Sequence, residues 1–295
     1  MTSIPIEPIE PIEPIELESA GGARAGSRAV SRPRATARIV QYVLRDVVRG
    51  RWLLAYAGFF LLVTEALVRF GGGGAKALLS LTNVALLVTP LVGIVFGTMY
   101  LYNAREFNEL LLAQPVHRRQ LFGGLYLGLA VPLVLAFVLG VGIPFALHGL
   151  TAEGDLPALL SLLAAGAGLT LVFVALAFLI AVRTEDRVRG LGVAIAVWLT
   201  ASVLYDGAVL LVATMLAEYP LERPMIALML MNPVDLARVV LLLQFDTAAL
   251  MGYTGAVFQR FFGSTAGLGL AAAALALWIA IPAALGQRLF RRKDF

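Results

Sequence analysis

Six long apolar runs dominate the chain, at about 52–70, 77–101, 121–148, 157–182, 190–217 and 266–288. Each reaches the ~18–20 residues that carry a helix across the hydrocarbon of a bilayer. The pattern therefore predicts six transmembrane helices. A β-barrel would need short alternating strands, and the sequence has none. Ahead of the first run, Ile39, Val40, Val43, Leu44, Val47 and Val48 recur at helical spacing, while Arg38, Gln41, Arg45, Asp46 and Arg49 fill the opposite face. That stretch is too polar to span. It predicts an amphipathic helix lying in the interface, with Trp52 opening the first span at headgroup level.

The polar positions between the runs fall into two sets. Arg45, Arg49 and Arg51 precede the first span; Arg105, Arg118 and Arg119 lie between the second and third. Arg183, Arg187 and Arg189 lie between the fourth and fifth, and Arg288, Arg291, Arg292 and Lys293 close the sixth. The intervening loops differ: FGGGGAK has one lysine and GLTAEGDLP no basic residue. Positive charge is retained on the cytoplasmic side, so both termini and the arginine-bearing loops are expected there. Segment 218–265 is then exterior. Its Arg223, Arg238 and Arg260 are balanced by Glu218, Glu222, Asp235 and Asp246.

Composition agrees with this class. The chain is 60% hydrophobic and 14% charged, where a soluble domain carries roughly a quarter charged residues. It has no cysteine, which excludes a disulfide framework, a thiolate metal site and a cysteine nucleophile. The first 36 residues stand apart. IPIEPIEPIEPIE places proline at every third position, which removes donors and blocks helix, so an extended, disordered tail is expected. The following GGARAGSRAVSRPRATAR is basic and suits the surface of anionic lipid. The domain division is a cytoplasmic tail at 1–36 and an all-α membrane domain at 37–295.

Four stretches carry candidate chemistry. In AREFNELLLAQPVHRRQ, residues 104–120, Glu106 and Glu109 flank Leu110, Leu111 and Leu112; Pro115 ends the helix, and Arg118 and Arg119 follow. This predicts a short amphipathic cytoplasmic helix, which either docks a partner or lies on lipid. In NPVDLARVVLLLQ, Asn232 can cap, Pro233 fits the first helical position, and Asp235 falls in the first turn. A helix over 233–244 would be ~18 Å long, too short to span. It is expected to dip into the outer leaflet or close a pathway, the alternative being a hairpin of packing value only. Asp206 sits well inside the fifth run with no charged residue three or four positions away. Intramembrane carboxylates mark pathways or paired sites, and a pathway role is expected here. Met225, Met229 and Met231, with Met215 upstream, are soft donors that suit Cu(I), but methionine is also a common core filler and no His or Cys is near, so packing is expected.

Other features point away from chemistry. Glu65 and Arg69 form an ordinary i, i+4 pair. His117 and His148 have no ligand-spaced partner, so neither a metal site nor a catalytic residue is expected. FGGGGAKAL lacks the spacing and the hydroxyl residue of a phosphate-binding loop. Gly124 with Gly128, and Gly263 with Gly267, have the spacing that lets helices approach closely.

AREFNELLLAQPVHRRQLFGGLYLG resembles the loop after the second span in permeases of the ABC-2 exporter family. The matching positions are Glu106 or Glu109, Leu111, Leu112, Pro115, Arg118, Gly123 and Gly124. RDVVRGRWLL resembles the family's elbow helix, and the likeness in order and topology covers roughly residues 36–293. The resemblance implies that 104–120 is a coupling helix seated in a cleft of a separate ABC ATPase. Glu106, Glu109, Arg118 and Arg119 would then fix its orientation. It also implies that ATP and Mg bind that ATPase and no cofactor binds this chain. VWLTASVLYDGAVLL, with Asp206, and LMLMNPVDLARVVLL, with Asn232, Pro233 and Asp235, resemble the permeases of nitrous oxide reductase maturation more particularly. That likeness implies a homodimer in a bacterial or archaeal inner membrane with a periplasmic β-helical partner protein. Its cargo would be a sulfur- or copper-related species for copper-site assembly, and no nucleic acid is involved. The rival reading is an ion- or proton-coupled secondary transporter using Asp206, for which the chain lacks the internal repeat such folds are built on.

Overall fold

The computed structural model describes residues 50–71, 74–104, 117–148, 155–215, 222–243 and 265–292, together with Gln41, Val43, Leu44 and Val47. Every regular element among them is helical: α1 Arg51–Phe70, α2 Gly74–Asn103, α3 Arg118–His148, α4 Asp155–Arg183, α5 Arg187–Leu199, α6 Tyr205–Met215, α7 Glu222–Met231, α8 Pro233–Leu243 and α9 Thr265–Arg292. A π turn, Thr200–Leu204, joins α5 to α6. Six helical segments are long and apolar enough to cross a bilayer, with α5, the π turn and α6 together forming the fifth. The six expected spans are all present, most of them a few residues longer than the apolar runs. The expected tail at 1–36 lies outside the described residues.

Local chemistry accounts for several boundaries. Asp186 precedes α5, and its side chain accepts from the backbone N–H of Val188 at 2.7 Å and of Arg189 at 3.4 Å. Such a cap satisfies donors that the first turn leaves orphaned. Gly71 ends α1 by donating to Leu67 O at 2.8 Å. Pro90, Pro132, Pro144 and Pro282 all lie within helices that continue past them.

The bundle is organised around α4, which packs on α2, α3, α8 and α9. Val172, Phe173, Val174 and Phe178 are fully buried there. The approach to α2 is close. A Cβ added at Gly97 would stand 2.6 Å from Ala177 Cβ, and one at Gly93 would stand 3.3 Å from Phe173 Cβ. These two glycines are four apart, a close-approach pair that the sequence reading passed over. Of the pairs it did single out, Gly128 meets Val43, so its missing side chain makes room for the segment ahead of α1. Gly267 is buried, and Gly263 lies outside the described residues. Val43 itself is 1% exposed and belongs to the main core. On the other side, α1 packs on α3, where Phe60 and Phe137 meet edge to face with centroids 4.9 Å apart.

The fifth span runs through the π turn without ending there. Within segment 218–265, α7 and α8 meet at a bend of 118°, and α8 packs on α2, α4 and α9. Val234, Leu236 and Leu241 are buried, Val234 and Leu241 within the main core. The apolar content of α8 explains this, since a helix with Val234, Leu236, Ala237 and Leu241 to cover gains more from packing on α4 than from water.

Candidate functional site at the break in the fifth span

Asp206 is placed by the first turn of α6, immediately after the π turn. In a regular helix the Tyr205 N–H would bond to Ala201 O, four residues back. Here it bonds to Thr200 O, five back. Ala201 O accepts instead from Asn232 Nδ2 at 2.7 Å. Asn232 occupies the corner between α7 and α8. Its Oδ1 accepts from Val234 N at 3.1 Å, and its Nδ2 also donates to Asp235 Oδ2 at 3.2 Å. The expected capping role of Asn232 is therefore present, and the same amide ties the corner to the broken span. Pro233 opens α8 as expected, where its missing N–H costs nothing.

One residue completes the site that the sequence did not single out. Arg238 Nη1 donates to Asp206 Oδ2 at 2.5 Å and to Asp235 Oδ1 at 3.2 Å. Asp206 is thus not a lone carboxylate, as its own helix suggested; its partner comes from α8, 32 residues on. The sequence alone places Arg238 among the balanced charges of the exterior segment 218–265. Its position one turn after Asp235, on the strongly apolar α8, was the only sequence signal that it points into the protein. Two carboxylates share one guanidinium. Asp235 is buried at 7% side-chain exposure, whereas Asp206 remains 42% and Arg238 29% exposed. The cluster therefore opens to one side of the protomer. Tyr205 Oη donates to Leu228 O at 2.7 Å, and Trp278 Nε1 from α9 donates to Leu230 O at 3.1 Å, which hold α7 at this break. Ser202 Oγ is buried with no hydrogen-bond partner among the described atoms.

The remaining candidates scatter. Met225 is buried and packs with Leu236, Val239 and Ala271, with Met229 and Ala274 against them, while Met215 and Met231 are exposed. No group of three or more His, Cys, Asp or Glu side chains placed to hold a metal ion occurs among the described residues. His148, read as lacking a carboxylate, has one: its Nε2 lies 2.9 Å from Glu65 Oε1, the oxygen that Arg69 Nε reaches at 2.5 Å. Glu106, Glu109, Leu111, Leu112 and Pro115 lie outside the described residues. Arg118 and Arg119 open α3; Arg118 Nη1 donates to Arg291 O at 3.0 Å, joining α3 to the end of α9, and Arg119 is exposed.

The family model for ABC-2 family transporter proteins matches residues 38–295. This chain is an ABC-2 family member. The ABC-2 match begins at the amphipathic stretch and leaves out the Pro-Ile-Glu tail. The chain is 31% identical over 271 residues to the probable ABC transporter permease protein NosY of Pseudomonas aeruginosa, covering 86% of this chain and 97% of the relative. It is 26% identical over 274 residues to the protein of the same description from Stutzerimonas stutzeri, again covering 86% and 97%. As an ABC-2 permease the chain is a multi-pass membrane transport subunit.

Proposed function

We propose that this permease works as a homodimer with a separate ABC ATPase, and that the Asp206–Arg238–Asp235–Asn232 cluster gates its pathway. The observation that carries this reading is the open ion pair at the break in the fifth span. A charged side chain inside a bilayer costs at least ~2.5–3.5 kcal/mol. Asp206 and Arg238 spend that in a position half open to whatever faces α6, which suits a water-filled pathway or a second copy better than lipid. ATP and Mg would bind the ATPase, which engages 104–120 from the cytoplasm. The similarity to NosY permeases supports a sulfur- or copper-related cargo, delivered for copper-site maturation, and a periplasmic β-helical partner.

Secondary transport coupled through Asp206 is the weaker reading. It wants a carboxylate free to load and release an ion, and Asp206 is held by a guanidinium. The test compares deletion of this permease with its Asp206→Asn variant in a strain that makes nitrous oxide reductase. The variant should assemble with its ATPase yet deliver a reductase with a depleted copper site. Wild-type reductase from an assembled variant would remove the gate, and a normal reductase from a strain deleted for the permease would remove the cargo.

A further inference from the structure

We infer that the groove between the elbow segment and the first three spans is a binding site for an acyl chain of an anionic phospholipid. The groove has a volume of about 500 Å³. Leu53, Leu129 and Leu133 form its buried floor, and Trp52, Phe96 and Met99 its more open wall. Trp52 and Phe96 stack edge to face across 6.2 Å. Among the described residues, no aspartate or glutamate lines it.

Its shape selects the occupant. A helix with side chains is about 10–12 Å across, so this volume would hold barely a turn of one, whereas an unbranched hydrocarbon chain fits lengthwise. Depth selects the same class. Trp52 is 72% exposed at the start of α1, where indoles settle at headgroup level, so the groove runs inward from the interface. Charge selects among lipids. Gly50 and Trp52 line the groove, and Arg51 between them is exposed. A headgroup above the groove therefore meets positive charge. This inference is independent of the gate and of the cargo.

Native mass spectrometry of the full chain in mild detergent, titrated with phosphatidylglycerol or phosphatidylcholine of matched chains, tests it. Phosphatidylglycerol should be retained by about fivefold over phosphatidylcholine, the factor one basic side chain near an anionic surface supplies. Met99→Trp, which fills the groove, should lose both lipids. Arg51→Gln, a change at an exposed position, should keep both and lose the preference. Leu54→Trp, at a 64% exposed position that does not line the groove, should match wild type. Equal retention of the two lipids by wild type, or unchanged retention in Met99→Trp, overturns the site. Should Met99→Trp fail to fold, Arg51→Gln alone decides: a preference that survives it overturns the assignment.

Discussion

Arg238 is the residue on which the candidate site turns. It faces two carboxylates and is joined to both through a single Nη1. Removing it leaves Asp235 buried beside Asp206 with no cation among the contacts described, and stranding a charge in this way costs about 3–5 kcal/mol. Arg238→Ala should therefore lower the thermal unfolding temperature or the yield of folded permease. Asp206→Asn leaves Arg238 its bond to Asp235 and should cost about 1 kcal/mol, near the worth of a single hydrogen bond. The double variant Asp235→Leu with Arg238→Leu removes the buried carboxylate together with its cation and should recover much of the stability lost in Arg238→Ala while still failing in transport. Size-exclusion profiles and melting curves of the three variants check the ordering. If Arg238→Ala is as stable as wild type, the cluster does not hold the hairpin to the fifth span. At this scale Asn232 and Pro233 were legible because capping is local. Arg238 was not, since its partner is 32 residues away.

Among the elements, the segment 104–120 and the hairpin α7–α8 were the two that a hydropathy reading left open. For the first, the sequence argument stands on its amphipathic pattern. Burying a leucine contributes about 1.5–3 kcal/mol, against ~1 kcal/mol or less for a rim charge. Leu111→Asp should then strip the ATPase from tagged permease in co-purification, and Arg119→Ala should not. Full retention of ATPase and normal ATP turnover in Leu111→Asp would move docking to the loop around Glu185 and Asp186. That loop is tied to the end of α2: Tyr102 Oη lies 2.7 Å from Thr184 Oγ1, and Gly190 in α5 passes close enough to Tyr102 Oη to leave no room for a side chain. For the hairpin, length ruled out a span but could not tell a surface lid from an inserted helix. Packing of Val234 and Leu241 into the main core decides for insertion.

For the whole molecule, the uneven burial of the spans is the informative quantity. The most apolar stretch of the fourth span is 67% buried within the protomer, that of the fifth only 6%. A span that exposes Leu210 and Leu211 and also carries Asp206 is the natural face for a second copy. Since the chain has no cysteine, Leu210→Cys is a clean probe. It should cross-link to its counterpart in membranes, while Leu139→Cys on the third span should not. Absence of the Leu210 cross-link, with a Leu139 cross-link present, would shift the interface away from the fifth span. Topology is tested the same way: single cysteines at Gly154 and Asp246 should label from outside, those at Ala113 and Thr184 only after permeabilisation. Labelling of Gly154 from the cytoplasm would invert the arrangement.

By itself the sequence determined the number of spans, their approximate ends and the cap at Asn232, because bilayer thickness and helix termini impose rules over fewer than thirty consecutive residues. It also carried the family, through segments whose order survives loose motifs. Only the tertiary structure decided that Gly93 and Gly97 seat α2 on α4, that His148 reaches Glu65, that the fifth span breaks at Thr200–Leu204, and that Arg238 turns inward to Asp206. Each of these depends on which helix lies opposite. Hydropathy is averaged around a helix and along it, so it reports that a segment leaves water without naming the neighbour it meets there.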